Sequence, residues 1–294
     1  MTKNTSELVK KCGYLAIIGR PNVGKSTLFN ALLGHSVSVV TRKAQTTQTE
    51  IMGVVTQFPH QYVLLDTPGV QCRLKRRTAL NRVAAKSAFE ADVAIFMAAG
   101  SQWTADDEVA LKILHDFEGP VIGCINKLDK LLHQQDKLDQ AIDNLKKRFP
   151  FEKIMTLSAL RKLHVDLLHA EICSCLPDGP ALYDHNMVTS HSDDFLTQEI
   201  LRAKLLEFLH EEIPYNLELS IDLMKIVDGR RHIYVTIWVS SSSKKSVIIG
   251  KGGSKLKQIG IQARREMEAY FKQPVFLKTW VKVGAPPSQS STGL

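Results

Sequence analysis

Short apolar runs alternate with amphipathic stretches through the first 178 residues of the chain. Runs rich in Val, Ile and Leu are typical of buried strands, and the stretches between them have helical periodicity. This alternation predicts an α/β domain with a doubly wound sheet. The predicted strands are residues 14–18, 51–56, 62–66, 93–98, 121–126 and 154–157. The predicted helices are residues 27–33, 78–90, 106–117, 135–148 and 164–176.

The pattern changes after residue 178. Residues 179–194 are polar and irregular, which predicts a linker. Beyond them the order of elements is α-β-β-α-α-β, with a hairpin turn at Asp228 and Gly229. This order differs from that of the first domain and therefore predicts a second, smaller α+β domain. Its predicted elements are residues 195–210, 215–226, 233–239, 247–249, 254–271 and 275–283.

These patterns divide the chain into five segments. A polar tail covers residues 1–12, the α/β domain residues 13–178 and the linker residues 179–194. The α+β domain covers residues 195–283. Residues 284–294 are rich in Pro and Ser, which predicts a disordered tail.

Composition narrows the class of protein. Hydrophobic residues make up 44% of the chain, which excludes disorder as its main state. Apolar runs stay well below the roughly 18 residues of a membrane-spanning helix, and the polar N-terminus lacks the apolar core of a signal peptide. We therefore expect a cytoplasmic protein with reduced cysteines. The net charge is +8, and residues 229–265 hold nine Lys or Arg and no acid, which indicates a polyanionic partner.

A glycine-rich loop follows the first predicted strand and precedes the first helix. Glycines let the backbone fold tightly, so that several N–H groups point at phosphate oxygens. In this strand–loop–helix context a lysine reaches the outer phosphates and the next hydroxyl ligates Mg²⁺. The sequence therefore predicts a triphosphate site with Lys25 on the phosphates and Ser26 on the metal. The predicted residues of the loop are Gly19, Arg20, Pro21, Asn22, Val23, Gly24, Lys25, Ser26 and Thr27.

Two further motifs stand at the ends of predicted strands, where doubly wound sheets bind ligands. The first is Asp66, Thr67, Pro68, Gly69 and the following Val70. Its aspartate can hold Mg²⁺ through water, and the Gly69 amide can contact the terminal phosphate.

The second motif is Asn126, Lys127, Leu128 and Asp129, and the pair Ser158 and Ala159 follows the sixth predicted strand. A carboxylate at residue 129 can accept two hydrogen bonds from guanine N1–H and its exocyclic amine, whereas adenine has no matching donors. Asn126 and Lys127 would brace the base and the phosphate loop, and a backbone N–H of the Ser-Ala pair would meet guanine O6. Together the motifs predict binding of GTP and GDP.

Hydrolysis needs a Mg²⁺ site and a water aimed in line at the γ-phosphorus. Residues 42–47 form a polar loop in which we favour Thr47 over Thr46 as a further Mg²⁺ ligand. Many GTPases have Gln after the third-motif glycine, but Val70 cannot orient water, which predicts slow turnover. Asn22 is a candidate ligand for a monovalent cation such as K⁺, the alternative being a residue that braces the loop. The residues predicted to act in catalysis are Asn22, Lys25, Thr47, Asp66 and Gly69.

A Gly-x-x-Gly turn lies in the basic part of the second domain. In KH domains such a turn joins two helices and lets a single-stranded RNA backbone approach closely. Its setting within the α-β-β-α-α-β order favours RNA binding over the alternative of a solvated basic turn. The predicted RNA-binding residues are Lys244, Lys245, Ile249, Gly250, Lys251, Gly252, Gly253, Lys255 and Lys257.

This combination of motifs resembles the bacterial Era family over about residues 10–283. The resemblance includes residues 42–47 (Arg-Lys-Ala-Gln-Thr-Thr), 103–107 (Trp-Thr-Ala-Asp-Asp) and 259–264 (Ile-Gly-Ile-Gln-Ala-Arg). It implies a monomeric GTPase of 30S subunit assembly, with a type II KH domain that binds the single-stranded 3′ end of 16S rRNA under control of the bound nucleotide. It also implies peripheral association with the inner membrane. The Pro- and Ser-rich C-terminus departs from the family pattern.

Two other classes share part of these motifs. A tRNA-modification or double-GTPase relative has the same phosphate loop, but the single nucleotide domain and the turn at residues 250–253 argue against it. A metabolic enzyme such as a kinase would form a phosphorylated product and would have no affinity for RNA.

Overall fold

The computed structural model describes residues 9–35, 37–38, 51–70, 77–100, 102–209 and 217–286, without the side chains of residues 77–80. The described residues form two compact units that divide after Ser190. Within these ranges no helix combines the length and the apolar character needed to cross a membrane.

The first unit contains a six-stranded sheet of order β2-β3-β1-β4-β5-β6. Its strands are β1 Lys11–Ile18, β2 Ile51–Gln57, β3 His60–Asp66, β4 Val93–Ala99, β5 Val121–Asn126 and β6 Lys153–Thr156. The edge strand β2 is antiparallel to β3 and the other neighbours are parallel. Every residue of β4 is buried because helices cover both faces of such a sheet. The doubly wound fold is confirmed.

The helices of this unit agree with the predicted ones except near their ends. They are α1 Lys25–Leu33, α2 Arg77–Phe89, α3 Ala105–Lys112, α4 Gln135–Lys146 and α5 Val165–Cys175, with a 3₁₀ turn at Leu128–Lys130. The prediction of helix to residue 117 was too long. After Lys112 the N–H groups of Leu114, His115 and Phe117 bond carbonyls three residues back, which gives turns in place of α-helix.

The segment predicted as a linker contacts the first unit over much of its length. The buried side chain of Gln61 on β3 accepts hydrogen bonds from the N–H groups of Leu182 and Tyr183. On β2, the Val54 N–H donates to the carbonyl of Val188. An edge strand has unpaired backbone groups that a polar irregular segment can satisfy, whereas composition alone does not show this pairing.

The predicted N-terminal tail is also partly ordered. Strand β1 begins at Lys11, Val9 is buried, and the N–H of Lys10 donates to the carbonyl of Pro59. Residues 9–12 therefore belong to the first unit. At the other end of the chain, the predicted disordered tail includes residues 287–294, which lie outside the described residues.

The second unit has a three-stranded sheet of order β7-β8-β9, antiparallel and then parallel, with three helices. Its elements are α6 Asp193–Phe208, β7 Leu217–Val227, β8 Arg230–Val239, α7 Ser242–Ile249, α8 Ser254–Phe271 and β9 Val275–Val283. Asp228 and Gly229 have positive φ angles, as a tight two-residue hairpin requires. The predicted order of elements in this α+β unit is confirmed.

Candidate functional site

The phosphate loop lies between β1 and α1, where the strand order of the sheet reverses. Gly24 has a φ of 106°, and a Cβ there would lie 2.3 Å from Nδ2 of Asn126. A Cβ on Gly19 would lie 2.4 Å from the carbonyl oxygen of Met97. The loop is therefore folded so tightly that neither position can take a side chain. The N-cap residue of α1 is Gly24, which has no side chain with which to cap the helix. An uncapped helix N-terminus that follows a tight loop is a typical site for phosphate.

The side chain of Lys25 is almost fully buried beneath this loop, with 6% of the residue exposed. Its Nζ donates to the carbonyl oxygen of Arg20 at 3.2 Å. Burial lowers the pKa of Lys25 to about 8, and the negative charge of Asp66 opposes that effect. The negative charge of a bound phosphate would likewise favour the protonated form of Lys25. The site is thus suited to an anion.

The Asp66 motif lies directly beside the phosphate loop. The Val70 N–H donates to the carbonyl oxygen of Gly19 at 3.2 Å. A Cβ on Gly69 would lie 2.8 Å from Pro21. Thr67 faces away, since its hydroxyl donates to the carbonyl of Ile17. The structure therefore brings the first two predicted motifs together.

Asp66 is fully buried and accepts a hydrogen bond from the hydroxyl of Ser38. Ser38 is held in turn by Asn30, whose side-chain oxygen accepts from the Ser38 N–H at 2.9 Å. Neither residue was predicted from the sequence, because neither belongs to a recognised motif and their contacts depend on the turn after α1. They connect Asp66, a predicted metal ligand, to the turn after α1.

The residues predicted for Mg²⁺ form a chemically suitable set. Ser26 offers a hydroxyl at the start of α1, and Asp66 offers a carboxylate that influences the pKa of the neighbouring Lys25. Hydroxyl and carboxylate oxygens are the protein ligands that Mg²⁺ prefers, with phosphates and water completing its shell. The third predicted ligand, Thr47, lies outside the described residues.

The guanine motif braces the phosphate loop through Asn126 and Lys127. Asn126 Nδ2 donates to the carbonyl of Val23 at 2.8 Å, and Lys127 Nζ donates to the carbonyl of Asn22 at 2.7 Å. The pKa of Lys127 is lowered chiefly by burial, and further by the nearby charges of Lys130 and Arg20. Both side chains therefore contact the phosphate loop, while their predicted contact with the base stays a prediction. Leu128 is buried beneath this motif.

The predicted guanine-reading groups lie together at the ends of β5 and β6. The hydroxyl of Ser158 donates to the carboxylate of Asp129, which fixes the orientation of that carboxylate. The Ser158 N–H donates to Leu163, and the Ala159 N–H donates to Asn126 Oδ1 at 2.9 Å. To contact guanine O6, the Ala159 N–H would therefore have to donate to both oxygens or leave Asn126 Oδ1.

An ion pair between the phosphate loop and α3 was not predicted. Arg20 Nε donates to both carboxylate oxygens of Asp107, which is only 1% exposed. Asp107 also forms a capping box with Thr104 at the start of α3. Asp107 was predicted to lie within a helix, but no pattern in the sequence indicated its distant partner.

The Gly-x-x-Gly turn of the second unit joins α7 to α8 through a 3₁₀ turn at Lys251–Gly253. Gly250, Gly252 and Gly253 all have positive φ angles. Lys251 and Lys257 are exposed, while Lys244 donates to the hydroxyl of Ser240 at 2.8 Å. The turn thus presents exposed backbone with lysines around it, as predicted.

A groove of about 390 Å³ continues from this turn between α8 and β9. The prediction named only two of its lining residues. Helical spacing could have found the α8 residues, since they recur every three or four positions on one face. The groove is lined by Gly253, Leu256, Lys257, Gly260, Ile261, Arg264, Leu277 and Thr279.

Comparisons with known proteins agree with this geometry. Residues 14–127 match the family model described as "50S ribosome-binding GTPase", and residues 204–288 match the KH domain model. GTPase Era of Glaesserella parasuis is 40% identical over 277 residues, which is 93% of this chain and 92% of the relative.

Two solved structures match both units, each with 37% identity and a TM-score of 0.84. One is a single-residue variant of Aquifex aeolicus Era bound to GDP·AlF4⁻, covering 93% of this chain and 94% of that one. The other is Era in complex with MgGDPNP and nucleotides 1506–1542 of 16S ribosomal RNA, covering 94% of each chain. The chain therefore belongs to the GTPase Era family, with a GTPase domain followed by a KH domain.

Proposed function

We propose that the protein is a GTP-hydrolysing switch that binds the single-stranded 3′-end region of 16S rRNA and assists assembly of the 30S subunit. The observation that carries this proposal is the pairing of a guanine-type nucleotide site with a KH turn and groove in one chain. The RNA-bound Era structure matches both units. The family model whose description mentions the 50S ribosome matches only residues 14–127, within the first unit. The RNA-bound relative is therefore the better guide to the partner.

In the proposed nucleotide complex, the N–H groups of the phosphate loop and Lys25 bind the phosphates. Asp129 accepts two hydrogen bonds from guanine, with its orientation set by Ser158. Charge-assisted hydrogen bonds of this kind are worth about 1.5–3 kcal/mol each. Asp129 is thus the residue that distinguishes GTP from ATP.

Hydrolysis would proceed by attack of water on the γ-phosphorus. Lys25 and the N–H of Gly69 would stabilise negative charge on the oxygens of the transferred group. Mg²⁺, held by Ser26, Thr47 and Asp66, would neutralise charge on the β- and γ-phosphates. Val70 is fully buried in the hydrophobic core, so it offers no group to the water. We therefore expect slow intrinsic turnover.

Asn22 is the proposed ligand of a K⁺ ion that would add positive charge beside the phosphates. Its φ of 62° and its exposed side chain place an amide on the outer side of the phosphate loop. An amide oxygen is a suitable ligand for a monovalent cation. A higher rate of GTP hydrolysis in K⁺ than in Na⁺, and loss of that difference in Asn22→Ala, would support this role. Equal wild-type rates in the two salts would contradict it.

RNA would bind along the KH turn and its groove. The glycines allow the phosphate backbone to approach the turn, and apolar residues such as Leu256 and Ile261 contact bases. Lys251 and Lys257 supply positive charge beside the path of the backbone. Binding of GTP would order the loops around the γ-phosphate and thereby change the affinity for RNA. A cytoplasmic monomer with peripheral contact to the inner membrane completes the proposal, on the family resemblance alone.

RNA crosslinking of the full chain tests this function. Wild-type protein should crosslink to the 3′-end sequence of 16S rRNA, with different yields in GTP and GDP. Gly252→Asp should lose most of the crosslink, because it places a negative charge where the RNA backbone approaches. Identical crosslinks in all of these samples would contradict the switch, and a phosphorylated small-molecule product would favour a kinase.

A further inference from the structure

The sheet of the KH domain has two chemically different faces. Ile233, Val235 and Ile237 of β8 are fully buried and point to the face that the helices cover. Successive side chains of a strand point to opposite faces, so the residues between them point to the other one. Tyr234 and Trp238 lie there and are partly exposed. This second face therefore carries partly exposed aromatic rings, with Thr236 buried between them.

Strand β9 adds an alternation of aromatic and basic side chains to the same face. Phe276 and Trp280 are 40% and 37% exposed, and Lys278 and Lys282 are also exposed. The parallel register places Phe276, Lys278 and Lys282 beside His232, Tyr234 and Trp238 of β8. We call Tyr234, Trp238, Phe276, Lys278, Trp280 and Lys282 the aromatic face.

Three of the four rings of the aromatic face lie against one another. The ring centroids of Tyr234 and Trp280 are 5.9 Å apart at an interplanar angle of 25°, and those of Tyr234 and Phe276 are 6.1 Å apart. Lys278 Nζ lies 5.1 Å from the ring centre of Trp280, and Lys282 Nζ lies 5.5 Å from that of Trp238. Flat π-surfaces and ammonium groups thus alternate within a few ångströms.

The charge of this face favours an anionic partner. Strand β9 contains two lysines and no acidic residue. The nearest acidic side chains border the face on β7, where Glu218 pairs with Trp238 and Asp222 accepts from Thr236. Lys278 and Lys282 lie on β9, across β8 from these carboxylates. A partner that combines flat aromatic groups with regularly spaced negative charges is a single-stranded nucleic acid.

From these contacts we infer that the aromatic face is a second binding surface for single-stranded RNA, on which bases stack against Phe276 and Trp280 while Lys278 and Lys282 contact phosphates. This surface is separate from the KH groove, because the groove takes Leu277 and Thr279 from the opposite side of β9. The inference rests on the proposed function, since RNA held in the groove would raise the local concentration of its flanking nucleotides at the aromatic face.

Full-length protein and two RNA probes test this inference. The short probe has about six nucleotides, enough for a KH groove, which clamps about four. The long probe extends the same sequence with oligouridine that contains 4-thiouridine. Trp280→Ala removes a stacking ring, and Trp280→Phe is the matched control that keeps one. We expect Trp280→Ala to weaken binding of the long probe about tenfold. It should leave the short probe unaffected, and Trp280→Phe should bind nearly as the wild type does.

Photocrosslinking identifies the surface directly. After digestion with trypsin, the 4-thiouridine extension should be attached to the peptides of residues 273–278 and 279–282, which contain Phe276 and Trp280. Crosslinks confined to α8, or equal effects of Trp280→Ala on both probes, would overturn the inference. Equal affinity of wild type and Trp280→Ala for the long probe would do the same. Failure of the wild type to bind the short probe would instead contradict the proposed groove, and crosslinks to β9 would still support the aromatic face.

Discussion

Arg20 of the phosphate loop donates one N–H group to both carboxylate oxygens of Asp107, at 3.0 and 2.9 Å. Asp107 also accepts from the backbone N–H and the hydroxyl of Thr104. One buried carboxylate therefore fixes the phosphate loop and caps the N-terminus of α3 at the same time. The Arg20 side chain is 23% exposed, so removing Asp107 leaves a guanidinium charge that is only partly hydrated and has lost its carboxylate partner.

We expect Asp107→Ala to lower the free energy of unfolding by about 3 kcal/mol, because Arg20 loses its partner and α3 its cap. Binding of GDP should weaken as well, since the loop is no longer held. Urea denaturation and nucleotide titration measure the two effects. Asp116→Ala, which changes an exposed aspartate in the turn after α3, serves as the control and should alter neither. Equal stability of the two variants would show that the ion pair contributes nothing.

The lowered pKa of Lys25 predicts a pH dependence of nucleotide affinity. Below pH 8 the lysine is charged before binding. Above pH 8 it is largely neutral until phosphates restore its charge, so binding must take up a proton. Affinity for GDP should therefore fall between pH 7 and pH 9, as fluorescent nucleotide titrations would show. The Lys25→Arg variant stays protonated and controls for titration of guanine itself. The same slope in that variant would refute the role of Lys25.

The same lowered pKa has the opposite effect on the stability of the protein without nucleotide. Between pH 8 and the ordinary lysine pKa of 10.5, the unfolded chain binds more protons at Lys25 than the folded one. The contribution of this group to the free energy of unfolding therefore rises with pH across that window. Urea denaturation of the wild type and of Lys25→Met at several pH values isolates the contribution of Lys25 to the free energy of unfolding. A difference in stability that does not vary with pH would contradict the assignment.

The KH turn offers a matched pair of glycine substitutions. Gly250 has a φ of 73° and a ψ of 177°, a region nearly restricted to glycine, and a Cβ there would lie 2.6 Å from Cβ of Lys255. Gly252 has a φ of 59°, and among the described residues no atom beyond its chain neighbours would lie within 4 Å of such a Cβ. We expect Gly250→Ala to cost about 2–3 kcal/mol of folding stability and Gly252→Ala only about 1 kcal/mol. Urea unfolding would contradict this if the order were reversed.

The sequence predicted the sheet, the helices and the position of each local motif, because periodicity and turn chemistry act over a few residues. The Gly-rich loop, the strand that ends at Asp66 and the helix at Ser254–Phe271 are examples. Contacts between distant residues that belong to no recognised motif were not predictable in this way. The pairing of Arg20 with Asp107 joins residues that are far apart in sequence, and either side chain alone is typical of a solvated surface.

The connecting segment illustrates the same limit. Its Pro, Ser, His and Asp residues are typical of a linker, and composition contains no information on backbone hydrogen bonds. In the structure Gln61 binds Leu182 and Tyr183 through their N–H groups, which attaches this segment to the sheet of the first unit. Only a buried glutamine within an apolar strand could have indicated such a contact, since a buried amide requires partners.

In the proposed nucleotide complex Asp129 selects guanine, and a single substitution tests this role. Asp129→Asn replaces an acceptor-only carboxylate by an amide with donors, which matches the 2-carbonyl of xanthine. Asp136→Asn, at an exposed position in α4, is the control for loss of one negative charge. We predict that isothermal titration calorimetry will show Asp129→Asn preferring xanthosine triphosphate to GTP, while Asp136→Asn keeps the wild-type preference. Unchanged preference for GTP in Asp129→Asn would contradict guanine recognition by this residue.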